Sequence, residues 1–271
     1  MKYPSIRRFL LCLTFLVPAI LPASAQRDNA LTQISTIDAI LNGLYDGVLS
    51  FGELREYGDF GIGTFHSLDG EMVALDGAFY QVKADGRVYD VTDTATTPFS
   101  SVTFFKAEKE IPIAPGKNYQ QIQALLKETI TAENIFQGIK IVGTFRYMKT
   151  RSVPGQTKPY PPLVKVTANQ PTFEFHDIAG TVVGFYTPDY VGGLNVPGYH
   201  LHFLADDKSG GGHILDFIVE DATLFLDYLS EIRIILPNNA DFNSLELSKD
   251  RSEELHQAEK STGKKLERAS R

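Results

Sequence analysis

Tryptophan is absent from this 271-residue chain, and a single cysteine, Cys12, is present. Basic residues are outnumbered, with 26 Lys and Arg against 33 Asp and Glu. After residue 25 no apolar run is long enough to cross a bilayer, which needs about 20 residues. Each shortage excludes something. Cys12 lies within a candidate export signal, so a processed chain would have neither disulfides nor thiolate metal ligands. The acidic balance argues against nucleic acid and anionic membrane as partners. Aromatic packing falls to 18 Phe and 12 Tyr.

Residues 1–25 read as a secretory signal. Lys2, Arg7 and Arg8 form the basic region, Phe9–Leu21 the apolar region, and Ala23-Ser24-Ala25 the cleavage motif. Pro18 and Pro22 interrupt the apolar run, which is short for an anchor. Removing the signal takes away three basic residues and no acidic one. The expectation is an exported protein, periplasmic or secreted, with no membrane attachment after cleavage.

What remains is rich in turn and strand signals. Ser35-Thr36-Ile37-Asp38 reads as a capping box with Ser35 as N-cap, opening a helix that Gly47 ends. Gly58–Phe65 reads as a strand thinned by glycines, where a backbone or ligand comes close. Asp-Gly pairs at 69–70, 76–77 and 85–86 mark a β-meander. Alternation puts Glu71, Val73 and Leu75 on one face, so Glu71 is either an exposed strand end or a carboxylate aimed into a pocket. Tyr119–Ala132 reads as a second helix, with Asn118 as N-cap. Ile139–Tyr147 reads as a strand, and the proline-rich Ser152–Pro162 as a domain boundary or a pocket-lining loop. Gly-Thr pairs at 63–64, 143–144 and 180–181 give a faint hint of duplication. The polar stretch from Asp250 reads as a solvated, frayed helix with modest apolar contacts from Leu255 and Ala258. The fold class is α+β. An N-terminal half spans 26–155, a C-terminal antiparallel half 156–247, and a tail helix 248–271.

The most informative stretch is YHLHFLADDKSGGGHILDF, residues 199–217. His200 and His202 share a face of one strand. A hairpin centred between Asp207 and Lys208 puts His202 across from His213, and directly opposed Cβ atoms lie about 5 Å apart. Three neutral nitrogen ligands with an open fourth position is the pattern of a catalytic zinc site. A register slip in Gly210-Gly211-Gly212 would turn His213 to the other face. His66, His176 and His256 read as ordinary surface or structural histidines.

Four blocks in order, IDAILNGLYDG, GDFGIGTFHSLDGEMVALDGAFYQ, KTRSVPGQTKPYPPL and the histidine hairpin, resemble the α-acetolactate decarboxylase family. The resemblance implies that His200, His202 and His213 bind zinc, that Glu71, Arg151 and Glu259 are catalytic, and that the chain forms a homodimer. It implies decarboxylation of 2-acetolactate to acetoin and CO2. The alternative is a secreted zinc-dependent hydrolase built on the same histidines, with Glu71 activating water. That reading gives Arg151 no task. A cupin-like oxygenase also carries H-x-H on a strand, but Asp206 and the nearby His213 depart from its spacing.

Overall fold

The computed structural model describes residues 29–130 and 132–260, and the backbone of Lys264–Lys265. The signal reading therefore lies outside the described residues. In chain order the strands are β1 (Ala30–Ile34), β2 (Leu49–Ser50), β3 (Phe60–Thr64), β4 (Glu71–Leu75), β5 (Ala78–Val82), β6 (Val88–Asp90), β7 (Thr96–Thr97) and β8 (Ser100–Thr103). There follow β9 (Lys109–Ile113), β10 (Phe136–Arg151), β11 (Pro171–Thr187), β12 (Gly198–Ala205), β13 (Gly211–Leu229), β14 (Glu231–Ile235) and β15 (Lys264–Lys265). The helices are α1 (Ile37–Leu41), α2 (Phe51–Leu54), α3 (Tyr119–Thr129), α4 (Leu163–Thr167), α5 (Ala240–Asn243) and α6 (Ser252–Lys260).

The α+β class holds, with two large sheets, a two-stranded β2–β7 pair and a few short helices. A seven-stranded sheet runs β14-β1-β8-β3-β4-β5-β6, antiparallel except where β1 pairs parallel with β14. In the second sheet β10 pairs with β11, β11 with β12, β12 with β13, and β13 again with β10. The long strands thus curl into a closed ring, helped by register shifts along β10 at Thr144–Tyr147 and Lys149–Thr150. The boundary at 155 does not separate the sheets. β9 and β10 belong to the second, and β14, one residue past β13, crosses back to the first. What joins segments here is long-range pairing, which local composition does not encode.

The ring closes on its own core. Phe145, Phe203, Phe217, Ile141 and Leu224 line it, and α3 adds Ile122 and Leu126. Asn118 accepts from the Gln121 amide as N-cap, as the sequence predicts. A second apolar layer fills the space between the sheets: Leu31, Phe60, Ile62 and Val73 from one, Phe185, Leu204 and Leu229 from the other. Each fully buried large side chain removes enough apolar surface to stabilise the fold by about 1.5–3 kcal/mol.

Several local expectations shift. The N-cap of α1 is Thr36, whose hydroxyl accepts from Ala39 N at 3.2 Å. Ser35 is held at φ 63 outside the helix and cannot serve. The helix stops at Leu41, because Gly43 at φ 89 takes the left-handed position that ends helices, well before Gly47. The tail is not a frayed helix throughout: α6 covers residues 252–260, with Leu255 and Ala258 buried against α1, α4 and the loop after β10. The Gly-Thr pairs have separate packing reasons. A Cβ on Gly63 would meet Phe99 O at 2.5 Å, and one on Gly180 would meet the Phe203 ring at 2.5 Å.

Candidate metal centre and active site

The β12–β13 hairpin brings the three histidines together. His202 pairs directly with His213, Phe203 with Gly212 and Leu204 with Gly211, which centres the turn between Asp207 and Lys208. On its other side His213 pairs with Arg151 of β10. His202, His213 and Arg151 therefore form one lateral row across three adjacent strands. Even-numbered residues of β12 face the first sheet: Leu204 enters the inter-sheet core, while Leu201 and Phe203 face the interior of the ring. His200 and His202 point out of the ring by the same alternation.

The three imidazoles are buried, with ring centroids 5.0–5.4 Å apart. Each offers a nitrogen within 4.8 Å of the others. His202 donates from Nδ1 to the carbonyl oxygen of Met72 on β4, at 2.8 Å. A carbonyl can only accept, so the neutral ring leaves its lone pair on Nε2. That nitrogen is buried and has no hydrogen-bond partner, and Nδ1 of His213 is likewise unpartnered. Unsatisfied buried nitrogens are costly, and a metal ion satisfies them. Burial and the charge of Arg151 hold His200 down to about 3 and push His202 and His213 well below the usual range. All three are neutral at physiological pH, the form a metal requires. The trio thus fits a metal ion.

Three ionisable side chains converge on the same point. Arg151, 4% exposed, donates from Nη1 to Glu71 Oε1 at 3.3 Å and to Gln170 Oε1 at 3.0 Å. Glu71 is buried inside, not at an exposed strand end, and its Oε2 lies 3.6 Å from His202 Nε2. Glu259 arrives from α6. Its Oε2 lies 3.5 Å from His213 Nε2, 4.0 Å from His200 Nε2 and 3.9 Å from Arg151 Nη2. Burial lifts Glu71 to about 7, against the pull of Arg151 and with help from the charge of Glu259. Burial also raises Glu259. Ion pairs so buried cost desolvation energy that hydrophobic residues would avoid, which points to chemistry more than to stability.

The pocket beside these groups has a volume of about 50 Å³, with an apolar wall that includes Ile37, Ile40, Leu68, Phe99 and Leu163. Val153 also lines it, so the proline-rich segment after Arg151 borders the pocket. A larger cavity of about 670 Å³ shares His213 and Glu259 with it and is bounded by α3, α6 and the start of β12. All six residues singled out in the sequence thus meet in one place. His256 lines only the larger cavity, His66 accepts from Gly47 N at 3.1 Å, and His176 packs against Tyr147. Gln170, the Met72 carbonyl and the apolar wall carry no signal in the sequence, since each reaches the site only through tertiary packing.

The sequence model of the family described as Alpha-acetolactate decarboxylase matches residues 31–249. The chain belongs to the alpha-acetolactate decarboxylase family. It is 46% identical over 245 residues to the alpha-acetolactate decarboxylase of Methanosarcina mazei, covering 90% of this chain and 84% of that one. It is 43% identical to the enzyme of Methylococcus capsulatus, covering 86% and 89%. The crystal structure of alpha-acetolactate decarboxylase from Bacillus subtilis strain 168 superposes with a TM-score of 0.83 at 38% identity, over 85% of this chain and 99% of that one. The family model ends before Glu259.

Proposed function

We propose that this chain decarboxylates 2-acetolactate to acetoin and CO2, with Zn²⁺ held by His200, His202 and His213. The observation that carries the reading is the convergence of three neutral, buried histidines with Arg151, Glu71 and Glu259, in a chain of this family. Bound zinc would supply a Lewis acid toward the substrate's hydroxyl and keto oxygens.

The protein's own groups do the rest. Arg151 holds the substrate carboxylate. As the bond to that carboxylate breaks, its electron pair moves toward the adjacent carbonyl, and CO2 leaves. The resulting enediolate needs one proton on carbon. Glu259 supplies it: burial favours its protonated form, and no hydrogen bond from Arg151 fixes it as a carboxylate. Glu71 receives the Arg151 Nη1 bond and so orients the guanidinium. The apolar wall receives the two methyl groups and excludes water.

A zinc-dependent hydrolase is not favoured, because it leaves the buried Arg151 without a role. The reading extends to export after cleavage near Ala25, and to a homodimer. No helix among the described residues is long and apolar enough to cross a membrane. Purified protein given acetolactate should form acetoin and CO2 in equal amounts, lose that activity on chelation, and regain it with Zn²⁺. An absence of acetoin in fully metallated protein would rule the reading out. N-terminal sequencing and sedimentation of the exported protein test the other two points.

A further inference from the structure

Arg151 has five N–H donors, and they are not used evenly. Nη1 donates to both Glu71 and Gln170. Nε is buried with no hydrogen-bond partner. Nη2 has Glu259 Oε2 at 3.9 Å, beyond hydrogen-bond reach. Nε and Nη2 lie along one edge of the guanidinium plane, and Nη1 lies away from that edge. One side of the fork is therefore pinned, while the two-pronged edge beside Glu259 is left free. A planar carboxylate matches such an edge bidentately.

We propose that Gln170 is a positioning residue that fixes the plane of Arg151, so that its Nε/Nη2 edge faces the substrate carboxylate. This rests on the reading of Arg151 given above. Glu71 alone is a single contact about which the guanidinium can swivel, and a second acceptor in another direction removes that freedom. The placement of Gln170 is itself fixed. It is fully buried, and its amide donates to Thr167 O at 3.3 Å at the end of α4. The next carbonyl, Pro171 O, accepts from Ser152 N at 3.3 Å, and Thr172 pairs with Arg151 itself. Gln170 thus sits one residue before β11, next to the point where that strand pairs with Arg151. The neutrality of Gln170 also matters. A carboxylate there would hold Nη1 equally well but cancel the positive charge that attracts the substrate.

The test compares two ligands of the zinc-loaded enzyme. One is 2-hydroxy-2-methylpropanoate, which has a carboxylate beside its hydroxyl; the other is acetoin, which has none. Gln170→Met should weaken the first about tenfold or more, the loss expected for a disturbed charge-assisted contact, and leave acetoin within about twofold. Gln170→Glu should also weaken the carboxylate selectively. In an Arg151→Lys background Gln170→Met should cost little more, because the fork it orients is gone. Metal content and melting temperature are read alongside. Equal weakening of both ligands, or loss of zinc, would make Gln170 merely structural and overturn the proposal. If Gln170→Met does not fold, Gln170→Leu, which also lacks an acceptor for Nη1, carries the same comparison. Should Arg151→Lys bind the carboxylate ligand as tightly as the parent, it is the Arg151 reading that fails. Should it bind weakly while Gln170→Met binds normally, only the role of Gln170 fails.

Discussion

His202 on β12 reaches across the gap between the two sheets and donates its Nδ1 proton to the carbonyl of Met72 on β4, 2.8 Å away. That bond selects the tautomer with Nε2 bare, and it ties the strand carrying His200 and His202 to the sheet that carries Glu71. Because the partner is a main-chain carbonyl, its orientation is set by the ladder of β4 with β3 and β5.

The first prediction follows from that geometry. His202→Ala should abolish stoichiometric zinc and decarboxylation together, weakening metal affinity by more than about a hundredfold, because loss of a ligand should exceed the 10–100-fold typical of losing a ligand's supporting partner. His176→Ala and His66→Ala should keep the metal. Metal analysis after dialysis against a weak chelator checks this; stoichiometric zinc in the His202 variant would contradict the three-histidine site.

Gly212 tests what fixes the register of the hairpin. It sits at φ 117, and a Cβ there would meet Arg151 O at 2.3 Å. Gly212→Ala should therefore cost about 1–3 kcal/mol from the backbone alone, with the clash adding to it. It should also weaken zinc binding, because β13 cannot lie so close to β10. Denaturant unfolding and zinc titration measure the two effects; a variant as stable as the parent, with full zinc affinity, would contradict the argument.

Much of this was legible in the sequence, and the unread parts share a cause. The hairpin centre follows from Asp207-Lys208 and the alternation of His200 and His202, which are local signals. Gly211 and Gly212 fit close approaches, against Phe203 O and Arg151 O respectively. A one-residue slip that carried His213 into the Gly212 position would drive its side chain into the Arg151 carbonyl, whereas the opposite slip would bring only Gly210 and Gly211 against those two oxygens. By contrast, nothing near Arg151 in sequence indicates that β10 lies beside His213, 62 residues later. The burial of Glu71 and the docking of α6 depend on the same kind of distant pairing. Glu259 was identified through family resemblance, since composition alone makes the tail polar and unremarkable.

Asp227 gives a prediction about stability and pH, away from the three histidines. It is 1% exposed; its Oδ2 accepts from Lys106 N at 2.9 Å while Oδ1 has no partner. Burial pushes its carboxyl up to about 6, with Glu108 and Asp59 adding to the rise. A carboxyl raised in the folded state favours folding most below its unfolded value of 3.8. That contribution is lost as pH rises through about 6. Asp227→Asn keeps an acceptor for Lys106 and cannot ionise. Relative to the parent it should gain stability between pH 4 and pH 7, by up to about 3 kcal/mol. Unfolding free energies at these two pH values decide it; a parallel pH dependence in both proteins would contradict the assignment.

The last prediction separates the chemistry of Glu259 from the packing of the helix that carries it. Truncation after Lys249 removes the carboxylate, but it also strips Leu255 and Ala258 from a cluster with Ile37, Ile40 and Leu163. Losing a buried leucine side chain alone costs about 2–5 kcal/mol, so the truncated protein should be less stable as well as slow. Leu255→Ala should reproduce much of the stability loss. Glu259→Gln should behave differently. It preserves shape and leaves the apolar contacts of α6 intact, so zinc content and melting temperature should stay near those of the parent. Turnover should fall by about 10²–10⁴, the usual contribution of a positioned acid. Substrate affinity should hold, since Arg151 Nη2 is not hydrogen-bonded to Glu259. The product supplies a second readout: without a proton from a fixed direction, the residual acetoin should lose handedness, which chiral chromatography resolves. If Glu259→Gln turns over at the parent rate and keeps its product's handedness, Glu71 becomes the remaining carboxylate within reach of the histidines, and Glu71→Gln should then show the loss instead.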